Sequence, residues 1–282
     1  MNVDTKPSAR MWLTAAGEVV AAVAVTVLLF RWRSSVSGGH HGHGETGTEL
    51  LAGNGWSGSE IVLIGLTAVA IGTWVISRSR VAAGLGAIGV VAVAGAEPTR
   101  VLAAQSHLVA MAALEALLVV APLLTLAALP ARDREPRPGG SRWWSLAACG
   151  CAALYAGAVI AVHLPMAYHH RGAHPVVPLW AAVVLFVAGV AYWSLILRTA
   201  GRVGWRVRRA ALVGSQEVAA FIGLLSLLGG LATPGERSPL GMTQVWDQRL
   251  GGLLMLVTCA CVVIPMMRRM TRQGVAASSI SG

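Results

Sequence analysis

The clearest chemical pattern in the sequence is formed by His107, Met111 and Glu115, which follow one another at four-residue spacing in an apolar stretch. At this spacing the three side chains share one face of a helix and span about 12 Å along its axis. Imidazole and thioether groups together suit copper, and the soft sulfur favours Cu(I). An ionisable Glu115 deep in an apolar helix is typical of functional sites. The pattern predicts a metal site with a carboxyl group below it. The alternative is that Met111 is a packing residue and that Glu115 pairs with a structural polar group.

A second four-residue pattern lies in the last apolar stretch, where Asp247, Gly251 and Met255 share one helix face. Asp247 could complete a metal site, or it could cap the start of its helix, because a carboxylate there accepts backbone N–H bonds. His163 ends another apolar stretch, two residues before Pro165, which stops a helix. These stretches add three candidate metal ligands to the first pattern: His163, Asp247 and Met255.

A histidine-rich tract near the N-terminus contains His40, His41 and His43. Short histidine-rich tracts in loops are typical of metal capture, and neutral imidazole is the commonest protein ligand for transition metals. The alternative is a solvated loop that happens to use histidine as its polar residue. We predict that the tract collects metal ions for the site formed by the apolar stretches.

Two further groups of reactive side chains lie in apolar stretches. Glu18 and Glu217 are predicted, with Glu115, to be buried ionisable residues, either on a proton or ion path or in a hydrogen-bonded structural pair. The cysteines form two pairs of i, i+2 spacing: Cys149 with Cys151, and Cys259 with Cys261. Residues at this spacing point about 200° apart on a helix. We therefore interpret the cysteines as small packing residues and not as a thiolate metal site or a disulfide framework.

The elements that carry these residues must be membrane helices, because the composition excludes a soluble protein. The 282 residues are 55% hydrophobic and only 12% charged, with a mean hydropathy of +0.66. A soluble domain carries about 25% charged residues. The 33 glycines show no collagen period and suit close packing of helices in lipid. These values exclude a soluble enzyme, a disordered chain and a secreted disulfide scaffold.

Eight apolar stretches approach the roughly 20 residues that a spanning helix needs. They cover residues 11–30, 60–77, 81–96, 107–129, 144–162, 176–197, 210–231 and 248–267. The predicted fold is an all-α, polytopic membrane helix bundle with about eight transmembrane helices, in which residues 1–282 form a single integral membrane domain.

The distribution of basic residues sets the expected orientation in the membrane. With the N-terminus inside, six of the 22 lysines and arginines fall in external segments and the other 16 in cytoplasmic ones. This asymmetry follows the positive-inside rule and places both termini in the cytoplasm. All 8 histidines then lie on the external side: His40, His41, His43, His107, His163, His169, His170 and His174.

Other function classes receive little support from the sequence. The net charge of +10 comes from clusters between apolar stretches, so lipid and not nucleic acid is the expected partner. The sequence contains no GxSxG, Walker A or HExxH motif, and no GxGxxG that follows a strand. We therefore expect that the protein is not an enzyme.

Three segments resemble motifs of the CtaG-like cytochrome c oxidase assembly proteins. The stretch from Ser106 to Leu126 resembles that family's HMxxH…APPLL helix, and His163-Leu-Pro-Met-Ala-Tyr168 resembles its HLPxxY turn. The stretch Asp247-Gln-Arg-Leu-Gly-Gly-Leu-Leu-Met255 is similar to its DQQLGGLIMW helix. The motifs are short and moderately specific, and they cover the chain from about Ser106 to Met267.

The resemblance implies a membrane assembly factor for cytochrome c oxidase in the bacterial plasma membrane. Such a factor would aid copper delivery or insertion at the outer face, with oxidase subunits and an external copper chaperone as partners. The sequence departs from the family pattern because Met111 replaces the second histidine of HMxxH, and because Pro178 and Ala182 stand where a histidine pair is expected. The alternatives are a scaffolding subunit of a respiratory complex without metal transfer, and a haem or quinone redox protein, which would need facing histidine pairs.

Overall fold

The computed structural model describes residues 56–130, 142–163, 176–199, 202–228 and 238–278. The described residues are almost entirely helical, and we number their helices in chain order: α1 Gly58–Ser77, α2 Arg80–Gly95, α3 Glu97–Gln105, α4 His107–Glu115, α5 Ala121–Ala128, α6 Arg142–His163, α7 Leu179–Arg198, α8 Trp205–Leu228 and α9 Gln244–Ser278. A π-helical turn, Ala116–Val120, joins α4 to α5. The predicted first span, residues 11–30, lies outside the described residues.

Six helices in the described part of the chain are long and apolar enough to cross a membrane. They are α1, the continuous segment His107–Ala128, α6, α7, α8 and Gln244–Arg272 of α9. The protein is therefore a multi-pass membrane protein built from helices, as predicted. Many of the exposed side chains on these helices are large and apolar, among them Ile76, Val184 and Phe221, as expected for surfaces that face lipid.

The predicted third span differs from a simple membrane helix. Helix α2 has only 16 residues, and the chain bends by 56° into α3, which lies between the predicted spans 81–96 and 107–129. Pro98 stands in the first turn of α3, where its missing N–H costs nothing. The Thr99 hydroxyl donates to the carbonyl of Val93 across the bend at 2.6 Å. The pair α2 and α3 together counts as one bent span at most.

Helices α1 and α2 form a tight antiparallel pair. Ser57 and Glu60 form a reciprocal capping box at the start of α1, and Arg78 ends that helix in the left-handed conformation. Ser79 then caps α2 by accepting a hydrogen bond from the Ala82 N–H. A Cβ at Gly89 would collide with the Thr67 side chain, so the glycine allows the two helices to approach closely.

The π-helical turn gives the His107–Ala128 segment its contact with α7. Pro122 has no N–H to donate to the carbonyl of Leu118, and the Trp193 indole donates to this carbonyl at 2.8 Å. A Cβ at Gly189 would stand only 2.7 Å from the same carbonyl oxygen. The hydrogen bond to the Leu118 carbonyl and the small residue opposite it therefore fix how α7 packs on this segment.

Helices α8 and α9 also cross at glycines. A Cβ at Gly223 would lie 3.1 Å from the carbonyl oxygen of Gly252, and a Cβ at Gly252 would collide with the backbone of α8. The largest cluster of buried side chains joins α4, α6, α7, α8 and α9, and its centre includes Met111, Tyr155 and Trp193. The five helices thus form the core that positions the candidate site.

The two ends of the bundle carry different polar residues. At one end, which we call the histidine end, lie Ser106, His107, His163 and Asp247, joined by the hydrogen bonds and ring contact described below. At the opposite end, which we call the arginine end, lie Trp144, Arg198, Arg202, Arg206 and Arg208. The chain therefore separates imidazole and carboxylate groups from most guanidinium groups along the bundle axis.

Candidate functional site

The start of α4 is held by a carboxylate from another helix. Ser106 Oγ donates to Asp247 Oδ1 at 2.7 Å, and the His107 backbone N–H donates to Asp247 Oδ2 at 2.6 Å. Asp247 is only 2% exposed. A carboxylate beside the first turn of a helix satisfies its open N–H groups and complements its dipole. Asp247 therefore caps α4 across the bundle, a contact that the sequence did not predict, and its role as a metal ligand stays a prediction.

Two imidazole rings meet beside this cap. The rings of His107 and His163 have centroids 5.6 Å apart and cross at 73°. His163 Nδ1 lies 2.7 Å from the carbonyl oxygen of Val159. Because a carbonyl only accepts, Nδ1 carries the proton in the neutral ring and Nε2 presents a lone pair. The structure thus brings together two predicted ligands from α4 and α6.

The outer nitrogens of both rings are buried without a hydrogen bond. Neither His107 Nε2 nor His163 Nε2 has a partner among the residues that the structure describes. Buried polar atoms normally find a hydrogen-bond partner. A metal-binding histidine commonly fixes one ring nitrogen on a carbonyl and binds the ion with the other. His163 has this arrangement.

Gly251 lets α9 approach the imidazoles. A Cβ at this position would lie 2.7 Å from His107 Cδ2 and 3.2 Å from Met111 Cγ. The four-residue pattern of α9 therefore faces that of α4. Any larger residue at Gly251 would push the His107 ring aside.

The two methionines of these patterns are fully enclosed. Met111 is 0% exposed and Met255 is 1% exposed, and both belong to the central cluster of buried side chains. Met111 lies one helical turn below His107 and next to Gly251. Both thioethers therefore have a packing role, and Met111 is the one placed beside an imidazole.

A second polar region lies deeper in the bundle, around Glu115. Glu115 is buried and lies within electrostatic range of the Tyr155 hydroxyl and the Cys259 thiol. Tyr155 stacks on Tyr192 with ring centroids 4.4 Å apart. The Tyr192 hydroxyl forms a 2.6 Å hydrogen bond with Ser215. The burial predicted for Glu115 is confirmed.

Sequence reasoning missed the tyrosine pair and Gln216, which is buried near both tyrosines. The sequence could have indicated these residues, because tyrosine and glutamine side chains buried in apolar stretches are costly unless they form hydrogen bonds. Glu217, which was predicted to be buried, is instead exposed in the described part of the bundle. Helix α8 directs the adjacent Gln216 inward, and Glu217 lies about 100° further round the helix, on its exposed side.

The remaining candidates are the four cysteines and four residues that the structure does not describe. Cys149 is exposed, Cys259 is buried, and Cys151 and Cys261 are intermediate, and none of the four forms a disulfide in the described part of the chain. His40, His41, His43 and Glu18 lie outside the described residues. Within the part of the chain that the structure describes, no three His, Cys, Asp or Glu side chains come together as a possible metal site. The candidate site therefore consists of two imidazoles with Met111 beside them.

Comparisons of the chain with protein-family models, with curated proteins and with solved structures give no match.

Proposed function

We propose that this protein is a bacterial plasma-membrane assembly factor for cytochrome c oxidase, and that it passes copper to the oxidase at the outer face. The observation that supports the proposal is the pair of imidazoles, His107 and His163, whose buried Nε2 atoms have no hydrogen-bond partner among the described residues. The motifs that resemble the CtaG-like family contain both histidines.

The chemistry of the pair fits copper better than a structural zinc ion. A structural zinc site has four protein ligands, whereas the described residues offer no group of three His, Cys, Asp or Glu side chains. Imidazole binds copper well, and thioether sulfur favours Cu(I). We propose that His107 and His163 bind the copper ion and that the thioether sulfur of Met111 lies beside it as a soft ligand.

A site with few ligands suits a protein that must release its ion. In the proposed cycle, His40, His41 and His43 collect copper, delivered by an external copper chaperone, and the imidazole pair receives it. The ion then moves by ligand exchange to a subunit of the oxidase, and no covalent bond of the protein is broken. Asp247 has a positioning role, because it fixes the backbone of His107.

The test is the copper content and activity of the oxidase in membranes that contain His107→Ala or His163→Ala. We expect abundant, inserted variants but an oxidase deficient in copper, with partial recovery when copper is added. Cys149→Ala is the matched control, because it removes an exposed thiol remote from the imidazole pair. An oxidase with normal copper content in both histidine variants would contradict the proposed transfer.

A scaffolding role without metal transfer is the second candidate. It is favoured because residues of the site also stabilise the fold: Asp247 caps a helix, and both methionines fill the core. A scaffold would tolerate His163→Ala but would fail when the bundle changes shape. The oxidase measurement described above distinguishes the two roles.

A further inference from the structure

A pocket of about 350 Å³ opens at the arginine end of the bundle, away from the histidines. Helices α6 and α7 and the connection to α8 form it. Trp144, Ala191 and Leu195 contribute apolar walls, and Arg198 and Arg202 contribute guanidinium groups. The pocket thus combines positive charge with a surface suited to hydrocarbon.

Contacts within the protein hold both arginines at the pocket. The guanidinium carbon of Arg202 lies 4.9 Å from the centroid of the Trp144 ring. Arg198 Nη2 donates to the carbonyl oxygens of Leu126 at 2.9 Å and Leu129 at 3.3 Å. These contacts reduce the freedom that the two side chains would lose on binding a ligand.

We propose that this pocket binds an anionic phospholipid. The planar donor fork of arginine matches the oxygens of a phosphate group, so the headgroup phosphate would lie at Arg198 and Arg202. The apolar side chains of Ala191 and Leu195 provide a surface for the start of an acyl chain. Basic pockets between membrane helices are known to bind anionic headgroups.

The position of the tryptophans supports a lipid and not free phosphate as the ligand. Trp143, next to Trp144, is 78% exposed, and tryptophan side chains are enriched at the level of the lipid headgroups. Free phosphate would make no use of the apolar walls. The pocket therefore best fits a lipid with a negatively charged headgroup.

The binding experiment uses the full-length protein in detergent, titrated with cardiolipin, phosphatidylcholine or inorganic phosphate, with retained ligand measured by native mass spectrometry. We expect cardiolipin to bind more tightly than phosphatidylcholine. Inorganic phosphate at millimolar concentration should not displace the bound cardiolipin. Arg202→Gln should weaken cardiolipin binding roughly fivefold, the usual contribution of one basic residue near an anionic lipid.

Arg206→Gln is the matched control. Arg206 also lies over a tryptophan, with its guanidinium carbon 5.7 Å from the Trp205 ring centroid, but it does not line the pocket. This variant should bind cardiolipin as the wild type does. Ala191→Leu, which keeps both arginines but fills the apolar wall, should also weaken binding. Equal losses in Arg202→Gln and Arg206→Gln, equal binding of phosphatidylcholine, or displacement by inorganic phosphate would each overturn the proposal.

Discussion

The histidine end and the arginine end differ in the kind of hydrogen-bonding capacity that each leaves unused. At the histidine end the lone pair of His163 Nε2 has no donor among the described residues. At the arginine end the buried Arg208 Nε, an N–H donor, has no acceptor there, while Arg208 Nη1 donates to the carbonyl of Ile196. Arg249 Nε, a donor at the histidine end, also lacks an acceptor among the described residues, so the two ends differ in the imidazole lone pair and not in spare donors. An imidazole lone pair suits a cation and a group of guanidinium side chains suits an anion, and the two proposals above rest on this difference.

The largest effect should come from Gly251→Leu, which tests whether close helix contact sustains the histidine end. The new Cβ would lie 2.7 Å from the His107 ring, so α9 must move away from α4 and the bonds of Asp247 must lengthen. Overpacking alone costs about 1–3 kcal/mol, and the lost cap adds to it. We expect a large drop in thermal stability in detergent and loss of copper binding.

Gly157→Leu is the control for this variant, because its Cβ would meet nothing within 4 Å. It should behave like the wild type in the same melting experiment. A Gly251→Leu protein as stable as Gly157→Leu would show that α4 and α9 do not need their close approach.

The next largest effect should come from Asp247→Ala. Removing the carboxylate leaves the Ser106 hydroxyl and the His107 N–H buried without their acceptors, which costs about 1–3 kcal/mol. Asp247→Asn keeps one acceptor oxygen and should be less harmful. Unfolding in mixed micelles measures both variants, and the order wild type, Asn, Ala in stability is the expected result. If Asp247→Ala unfolds at the wild-type midpoint, the cap contributes nothing.

The smallest effect on stability should come from Met111→Leu, which tests the sulfur without removing volume. Truncation of this fully buried side chain to alanine would cost about 2–5 kcal/mol, whereas a Leu replacement usually costs less than about 1.5 kcal/mol. We expect a folded protein whose Cu(I) affinity is about tenfold lower, in line with the loss of a group that supports metal ligands.

Met270→Leu provides the comparison for the methionine substitution. Met270 is also buried but lies far along α9, towards the arginine end. Its replacement should leave Cu(I) affinity, measured by competition with a chromogenic chelator, unchanged. If both variants had the same Cu(I) affinity, Met111 would have only a packing role.

Much of the fold follows from the lengths of the apolar stretches, since the predicted span 60–77 is α1, Gly58–Ser77, and the predicted span 144–162 is α6, Arg142–His163. The bend between α2 and α3 was not predicted. It depends on the local Thr99 bond to Val93 and on the tertiary bond from Arg100 to the carbonyl of Val177, and a span of residues 81–96 satisfied the apolar pattern without it.

The candidate site was predictable only as a set of residues on two helix faces. Four-residue spacing put His107 and Met111 on one helix face, and the structure places that face against Gly251. The partner of Asp247 could not be derived, because it lies about 140 residues away and is set by how α9 crosses α4. The inward position of Gln216 instead of Glu217 depends on the rotation of α8, which a nearly uniform apolar stretch leaves open.

The most direct test of the central claim is the ligation of copper by the two imidazoles. X-ray absorption spectra of the purified, Cu(I)-loaded protein would be compared with those of His107→Ala, His163→Ala and Cys149→Ala. We expect about one copper ion per chain with imidazole scattering in the wild type and in Cys149→Ala, and loss of bound copper in each histidine variant. A wild-type spectrum with sulfur ligands alone, or copper retained in both histidine variants, would contradict this claim.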